Sequence, residues 1–331
     1  FTRQDCLNKI IAKSAFVQIP KDANIQDISK SFDQTKAIVP THWWDGSPID
    51  ASDNKQTNPP PPLYCGWDWP KGTCPYYRTA FKKRCGRFVD GDGKAYQPLY
   101  QEMERRVSSP KGEGDKGLPP VISHMIPAIF ETLITLRKRK QPVRFVFRTF
   151  GSDLGDVAEA INAFARGQHP AYPTFKDDGL VFGSDDLLQG RWNGETYQLL
   201  SQDGSTVIAD GDEAIQDLLR TKQICGIRDH YAFWAANGWK PWAGKPVWVT
   251  KGKAEHAVLL DDNIHNLEDD GIATVRIQQE DGSYRSLSGK EIQDCQGLYL
   301  IRVPTVEPIL DPNWFVRQID KAQERFSHLL G

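Results

Sequence analysis

Two adjacent carboxylates, Asp261 and Asp262, with Asn263 beside them, close the apolar run Ala257-Val258-Leu259-Leu260. Acids paired in this way can hold a hard divalent cation, which takes oxygen ligands. The same three residues also suit a polar turn leaving a buried strand. A second stretch, Arg148-Thr149-Phe150-Gly151-Ser152-Asp153, sets hydroxyls, a glycine and backbone N–H groups ahead of a helical pattern. It can stabilise an anion or simply cap the helix. Lys245 precedes a third apolar run in Gly244-Lys245-Pro246-Val247-Trp248-Val249, and Asp33 and Thr35 stand in the tight acidic turn of Ser31-Phe32-Asp33-Gln34-Thr35-Lys36-Ala37-Ile38-Val39.

These residues need strands that end where they stand. Apolar positions at Ile122, Ile126, Ile129, Phe130, Leu133 and Leu136 recur at helical spacing, and Pro142–Phe147 then reads as a short strand. A second helix follows through Val157, Ile161 and Phe164. Trp192-Asn193-Gly194-Glu195 carries the Asn-Gly hairpin signal, which predicts a β flap over 183–210. Helices are expected near 212–222 and 231–237, strands at 272–277 and 298–303, and a closing helix where Asp311 can cap and Pro312 can take the first position. Strands alternating with helices predict an α/β fold with a doubly wound, mainly parallel sheet. In such sheets chemistry collects outside the carboxyl ends of the strands.

At 331 residues the chain can form one large domain or two modest ones. Its charge of -2 makes no electrostatic case for nucleic acid, and no run approaches the roughly 18 apolar residues of a transmembrane helix. Mean hydropathy is -0.53, which predicts a soluble globular protein. From Thr41 the composition shifts to Trp43, Trp44, Trp67 and Trp69, a proline run at 59–62 and three of the six cysteines, so 41–117 reads as an insertion. Its aromatics suit a satellite core or a surface for a protein partner. Cys65, Cys74 and Cys85 can be free, pair once, or join His42 around zinc. His256 and His265 read as turn or surface histidines, while His230 and Tyr231, beside Arg228-Asp229, stand where they can reach a cleft. No Gly-rich phosphate loop, metalloprotease His pair or nucleophile elbow is present.

The order Asp33-x-Thr35, Thr149, Lys245, Asp261-Asp262 resembles the haloacid dehalogenase-like (HAD) superfamily, whose signature is a nucleophilic Asp after the first strand, a Ser or Thr after the second, a Lys, and a final acidic pair. The resemblance implies a HAD-like Rossmannoid core from residues 1–40 and 118–331, with 41–117 in the position of a cap. It implies that Asp33 attacks a small phosphorylated substrate and becomes an aspartyl-phosphate. Thr149 would bind a phosphoryl oxygen, with Ser152 the cofactor-binding candidate at the same turn, and Lys245 would offset negative charge. Mg²⁺ would be held by Asp33, a carbonyl near Thr35, and Asp261 or Asp262.

Two departures stand beside these matches. Thr35 occupies the place where phosphatases of the superfamily carry a second Asp as general acid and base, and Ala37 replaces a Thr. An alternative alignment through Pro20-Lys21-Asp22, after the apolar stretch Ala15–Ile19, removes the nucleophile altogether. Two outcomes are therefore expected: a Mg²⁺-dependent phosphohydrolase or phosphotransferase with a degenerate first motif, or an inactive accessory subunit whose insertion binds a protein partner.

Overall fold

A computed structural model gives the fold and describes residues 2–21, 38–49, 60–79, 85–107, 125–139, 142–194, 196–250, 255–264 and 271–330. Contacts divide the chain into two compact units, Phe1–Ser108 with Val303–Asp311, and Ser109–Arg302 with Pro312–Gly331.

In the first unit the helix Arg3–Ser14 starts at a capping box. Thr2 N–H donates to the Asp5 carboxylate at 3.0 Å, and Asp5 N–H to the Thr2 hydroxyl at 3.1 Å. Those bonds hold the Asp5 carboxyl below its ordinary pKa. Leu7, Ile11 and Ala12 form a buried stripe on the helix, which needs a cover. The Trp-rich segment supplies it: Trp43, Tyr76, Phe88 and Tyr96 are buried and pack on one another, with Tyr76 and Phe88 ring centroids 4.7 Å apart.

Strand β1 (Phe16–Gln18) pairs antiparallel with β2 (Thr73–Pro75), Val17 opposite Cys74. Residues Val303–Asp311 return to the same unit, where the Thr305 hydroxyl donates to the Ile10 carbonyl at 2.9 Å. The expected grouping of residues 1–40 with the α/β core therefore differs from the observed one. The amino-terminal helix and strand share a unit with the tryptophans, because the helix stripe and the aromatic layer bury each other.

The second unit carries β3 (Phe145–Thr149), β4 (Leu187–Asn193), β5 (Thr196–Leu200), β6 (Val207–Asp210), β7 (Ile224–Arg228), β8 (Lys245–Val249), β9 (Leu259–Asp261), β10 (Ala273–Gln278), β11 (Tyr284–Ser286) and β12 (Leu300–Arg302). One sheet has the order β3-β7-β4-β5-β6, parallel from β3 to β4 and antiparallel from β4 to β6. Strands β8 and β10 pair parallel with β11 antiparallel to β10, and β9 pairs parallel with β12. The unit is thus α/β, with two mixed sheets and one parallel pair among the described residues. Short hairpins produce the antiparallel pairs, and their turns use Gly194 at φ 64° and Gly282 at φ 86°, left-handed conformations that favour glycine. The hairpin expected at Asn193-Gly194 joins the sheet through β4, which pairs with β7.

Side chains of β7 alternate between two apolar clusters, as the two-residue period of a strand requires. Ile224 packs with Phe130, Leu133, Ile161 and Phe164 from the helices Pro127–Lys138 and Leu154–Ala165. Ile227 packs with Leu188, Tyr197, Trp248 and Ile215, the last from the helix Asp212–Thr221. Gly226 lets the helix at 154–165 close on the sheet, since a Cβ there would lie 2.7 Å from Leu154 Cδ1. The closing helix forms over Trp314–Leu330, so it starts after Pro312, and Asp311 ends the short helix before it instead of capping this one.

No disulfide joins any of the six cysteines, and burial pushes Cys74, Cys85, Cys225 and Cys295 up to about 12. In native protein at pH 8 a thiol reagent should therefore label exposed Cys6 first, and these four only on unfolding, read by mass spectrometry of labelled peptides. Phe164, fully buried, stacks on Phe175 at 4.5 Å and packs against Phe130 at 4.7 Å. Phe164→Ala should cost about 3–5 kcal/mol of unfolding free energy, measured by urea denaturation.

Candidate functional site

Two of the residues marked by the sequence, Lys245 and Asp261, meet in the second unit, and the neighbour of a third, Thr149, lies against them. Strand β3 ends at Thr149, β9 ends at Asp261, and Lys245 opens β8. The Lys245 ammonium lies 2.8 Å from Asp261 Oδ2, with only 5% and 9% of the two side chains exposed. It also stands 5.1 Å above the Phe150 ring, the residue after Thr149. One cation thus links the ends of β3 and β9.

Both strand ends are locally braced. Asp261 Oδ1 accepts the Asn263 N–H at 2.8 Å, and the Asn263 amide donates to Asp262 at 3.1 Å. The Thr149 hydroxyl accepts the Gly151 N–H at 2.9 Å and donates to Asp153 Oδ1 at 2.9 Å. Asp153, not Ser152, takes the cap position of the following helix, and Ser152 is exposed on the turn. The polar turn and the strand-end site, two readings of Asp261-Asp262-Asn263, are here the same structure. Each group suited to an anion, the Thr149 hydroxyl and the Lys245 ammonium, already faces a carboxylate. A phosphoryl group entering here would exchange places with one of those carboxylates as partner.

Asp33, Thr35 and Asp22 lie outside the described residues. Among the described residues no group of three or more His, Cys, Asp or Glu side chains could hold a metal ion. Asp261, Asp262 and Asn263 do supply oxygen donors of the kind Mg²⁺ takes, and they would form part of its shell.

An aromatic wall adjoins the site. Phe150 stacks on Trp234 at 4.8 Å and 15°, and Tyr231 and Trp239 pack at the edges. Tyr231 stays 45% exposed. His230 is held as a turn residue, its Nδ1 accepting the Trp192 N–H at 3.1 Å, while burial and Arg191 lower its pKa. His256 stacks on Phe326 at 4.3 Å with Nε2 2.7 Å from the Leu298 carbonyl, and burial lowers its pKa.

Sequence reasoning missed the polar groups beneath this wall. Arg148 pairs with Asp229, their side chains 7% and 0% exposed, and Nε lies 3.0 Å from Oδ2. The Tyr197 hydroxyl donates to the same carboxylate. Its pKa is driven well above the ordinary value, first by burial and then by Asp229. The only signal in the sequence was an arginine inside an otherwise apolar strand. Comparison with protein-family models, with curated proteins and with solved structures found no match.

The buried pair has a direct consequence. Asp261→Asn leaves the Lys245 ammonium buried without its counter-ion and should cost about 3–5 kcal/mol of stability. Asp261→Asn combined with Lys245→Met strands no charge and should cost less. Urea unfolding of the single and double variants checks the order.

Proposed function

We propose that the chain is a Mg²⁺-dependent phosphohydrolase whose second unit is a HAD-like, doubly wound α/β core that binds a small phosphorylated substrate outside the ends of β3 and β9. The observation that carries this reading is the buried Lys245 ammonium, which pairs with Asp261 at the end of β9 and lies over the ring of Phe150, the residue that follows Thr149 at the end of β3. Phosphoryl transfer asks a protein mainly to position groups and neutralise charge, and a cation in a dry site acts more strongly than one in water. Lys245 would offset charge on the phosphoryl oxygens, and the Thr149 hydroxyl would turn from Asp153 to donate to one of them. Asp33 would attack phosphorus as the ester P–O bond breaks, and water would then cleave the aspartyl-phosphate. Mg²⁺, with Asp261 and Asp262 in its shell, would neutralise the substrate further. With Thr35 in the general-acid position the leaving oxygen would take its proton from water, at a loss of roughly 10²–10⁴-fold in rate.

A second reading is a binding subunit without turnover. It is favoured by the pairing of both anion-binding groups with carboxylates of the chain itself. Aryl-phosphate hydrolysis with Mg²⁺ separates the two. Slow turnover, abolished by a chelator and by Asp33→Asn, is the expected result. Pure, Mg²⁺-loaded protein without turnover overturns the first reading and supports the second, an accessory subunit whose 41–117 segment binds a protein partner, and turnover overturns the second.

A further inference from the structure

The backbone around Lys245 is held at three consecutive residues. The Gly244 carbonyl accepts the Trp192 indole N–H at 2.9 Å, Lys245 N–H donates to the Ile272 carbonyl at 2.6 Å, and the Pro246 carbonyl accepts from the Arg148 guanidinium. That guanidinium makes two bonds to the Asp229 carboxylate and lies 5.8 Å from the Trp248 ring. Asp229 N–H in turn donates to the Thr149 carbonyl at 2.8 Å. A single residue therefore touches the main chain of Thr149 directly and that of Pro246 through one arginine.

We infer that Asp229 is a positioning residue: with Arg148 and Tyr197 it fixes the strand ends that carry Thr149 and Lys245 at the distance the site needs. Its relevance to catalysis rests on the function proposed above; its geometry does not. Tyr197 completes the carboxylate's shell, and the space for it comes from Gly190, where a Cβ would overlap the Tyr197 hydroxyl. With Arg148 and Tyr197 both donating, the buried Asp229 carboxylate is well satisfied, so the cluster is rigid. Removing a member frees the guanidinium to leave Pro246, and the loop at Gly244-Lys245 loses one of its three anchors. A cluster that merely stapled the fold would change melting temperature without changing the surroundings of the Lys245 ammonium.

The test reads that ammonium. Reductive methylation of the full chain with ¹³C-formaldehyde, followed by NMR, reports each lysine, and Lys245→Arg identifies the Lys245 signal. Tyr197→Phe keeps the ring and removes only the hydroxyl, while Asp229→Asn keeps the shape and removes the charge. Loss of a hydrogen bond to a charged group corresponds to about tenfold or more in an opening equilibrium, so Lys245 should be methylated about tenfold faster in either variant, with other lysines unchanged. If Asp229→Asn does not fold, Tyr197→Phe decides. Variants of lowered melting temperature whose Lys245 reacts as slowly as in the parent overturn the inference. Aryl-phosphate turnover is measured on the same samples. A parent without turnover counts against the phosphohydrolase, while Lys245 protection still decides the role of Asp229.

Discussion

An ammonium removed from water must have a carboxylate against it. Desolvating an ion costs several kcal/mol even after the protein relaxes, and only close, well-oriented charge recovers it. Lys245 is such an ion, and Asp261 is its counter-charge at 2.8 Å. The pair obliges the first residue of β8 to meet the last residue of β9, so two separately paired groups of strands, β8 with β10 and β9 with β12, are brought to one point. The position of Phe150 beneath the ammonium then ties in β3. The strand-end geometry of the second unit follows from where this one charge can be accommodated.

The surrounding layer makes the constraint strict. Phe150 and Trp234 keep water from one side of Lys245, and Trp192, Tyr197 and Trp248 fill the cluster beside β8. In such a medium an unpaired polar group is expensive, and the neighbouring polar atoms are accordingly paired: the Trp192 indole with the Gly244 carbonyl, Arg148 with Asp229, Tyr197 with Asp229. The same dryness that makes Lys245 a strong partner for a phosphoryl group means that Asp261 already holds it. Binding of an anion is then a competition between two negative partners, not the filling of a vacant charge, and the outcome depends on how closely the strand ends keep their spacing.

Much of the site was legible in the sequence for a simple reason. Asp261 directly follows an apolar run, Thr149 follows one after Arg148, and Lys245 directly precedes one, so local pattern alone puts them at strand termini. The helix through Val157, Ile161 and Phe164 and the closing helix were readable on the same grounds, since their apolar spacing is local. Arg148, Asp229 and Tyr197 were not. Arg148 and Asp229 are 81 residues apart, Tyr197 and Asp229 are 32 apart, and a charged residue inside a strand looks the same whether it faces water or a buried acid. The partition of the chain was hidden likewise, because it turns on the pairing of Val17 with Cys74 and on the return of Thr305 to the amino-terminal helix.

By itself, then, the sequence determined the alternation of strands and helices, the residues at the strand ends and the aromatic density of 41–117, all properties of neighbours along the chain. Only the tertiary structure decided which ends meet. It matched Lys245 to Asp261, assigned Asp153 and not Ser152 to the helix cap beside Thr149, and set which strands pair parallel and which antiparallel. Those choices depend on burial: a charge, a hydroxyl or a carbonyl shut off from water must find its partner wherever the fold brings one, and that partner is set by packing and not by distance along the chain.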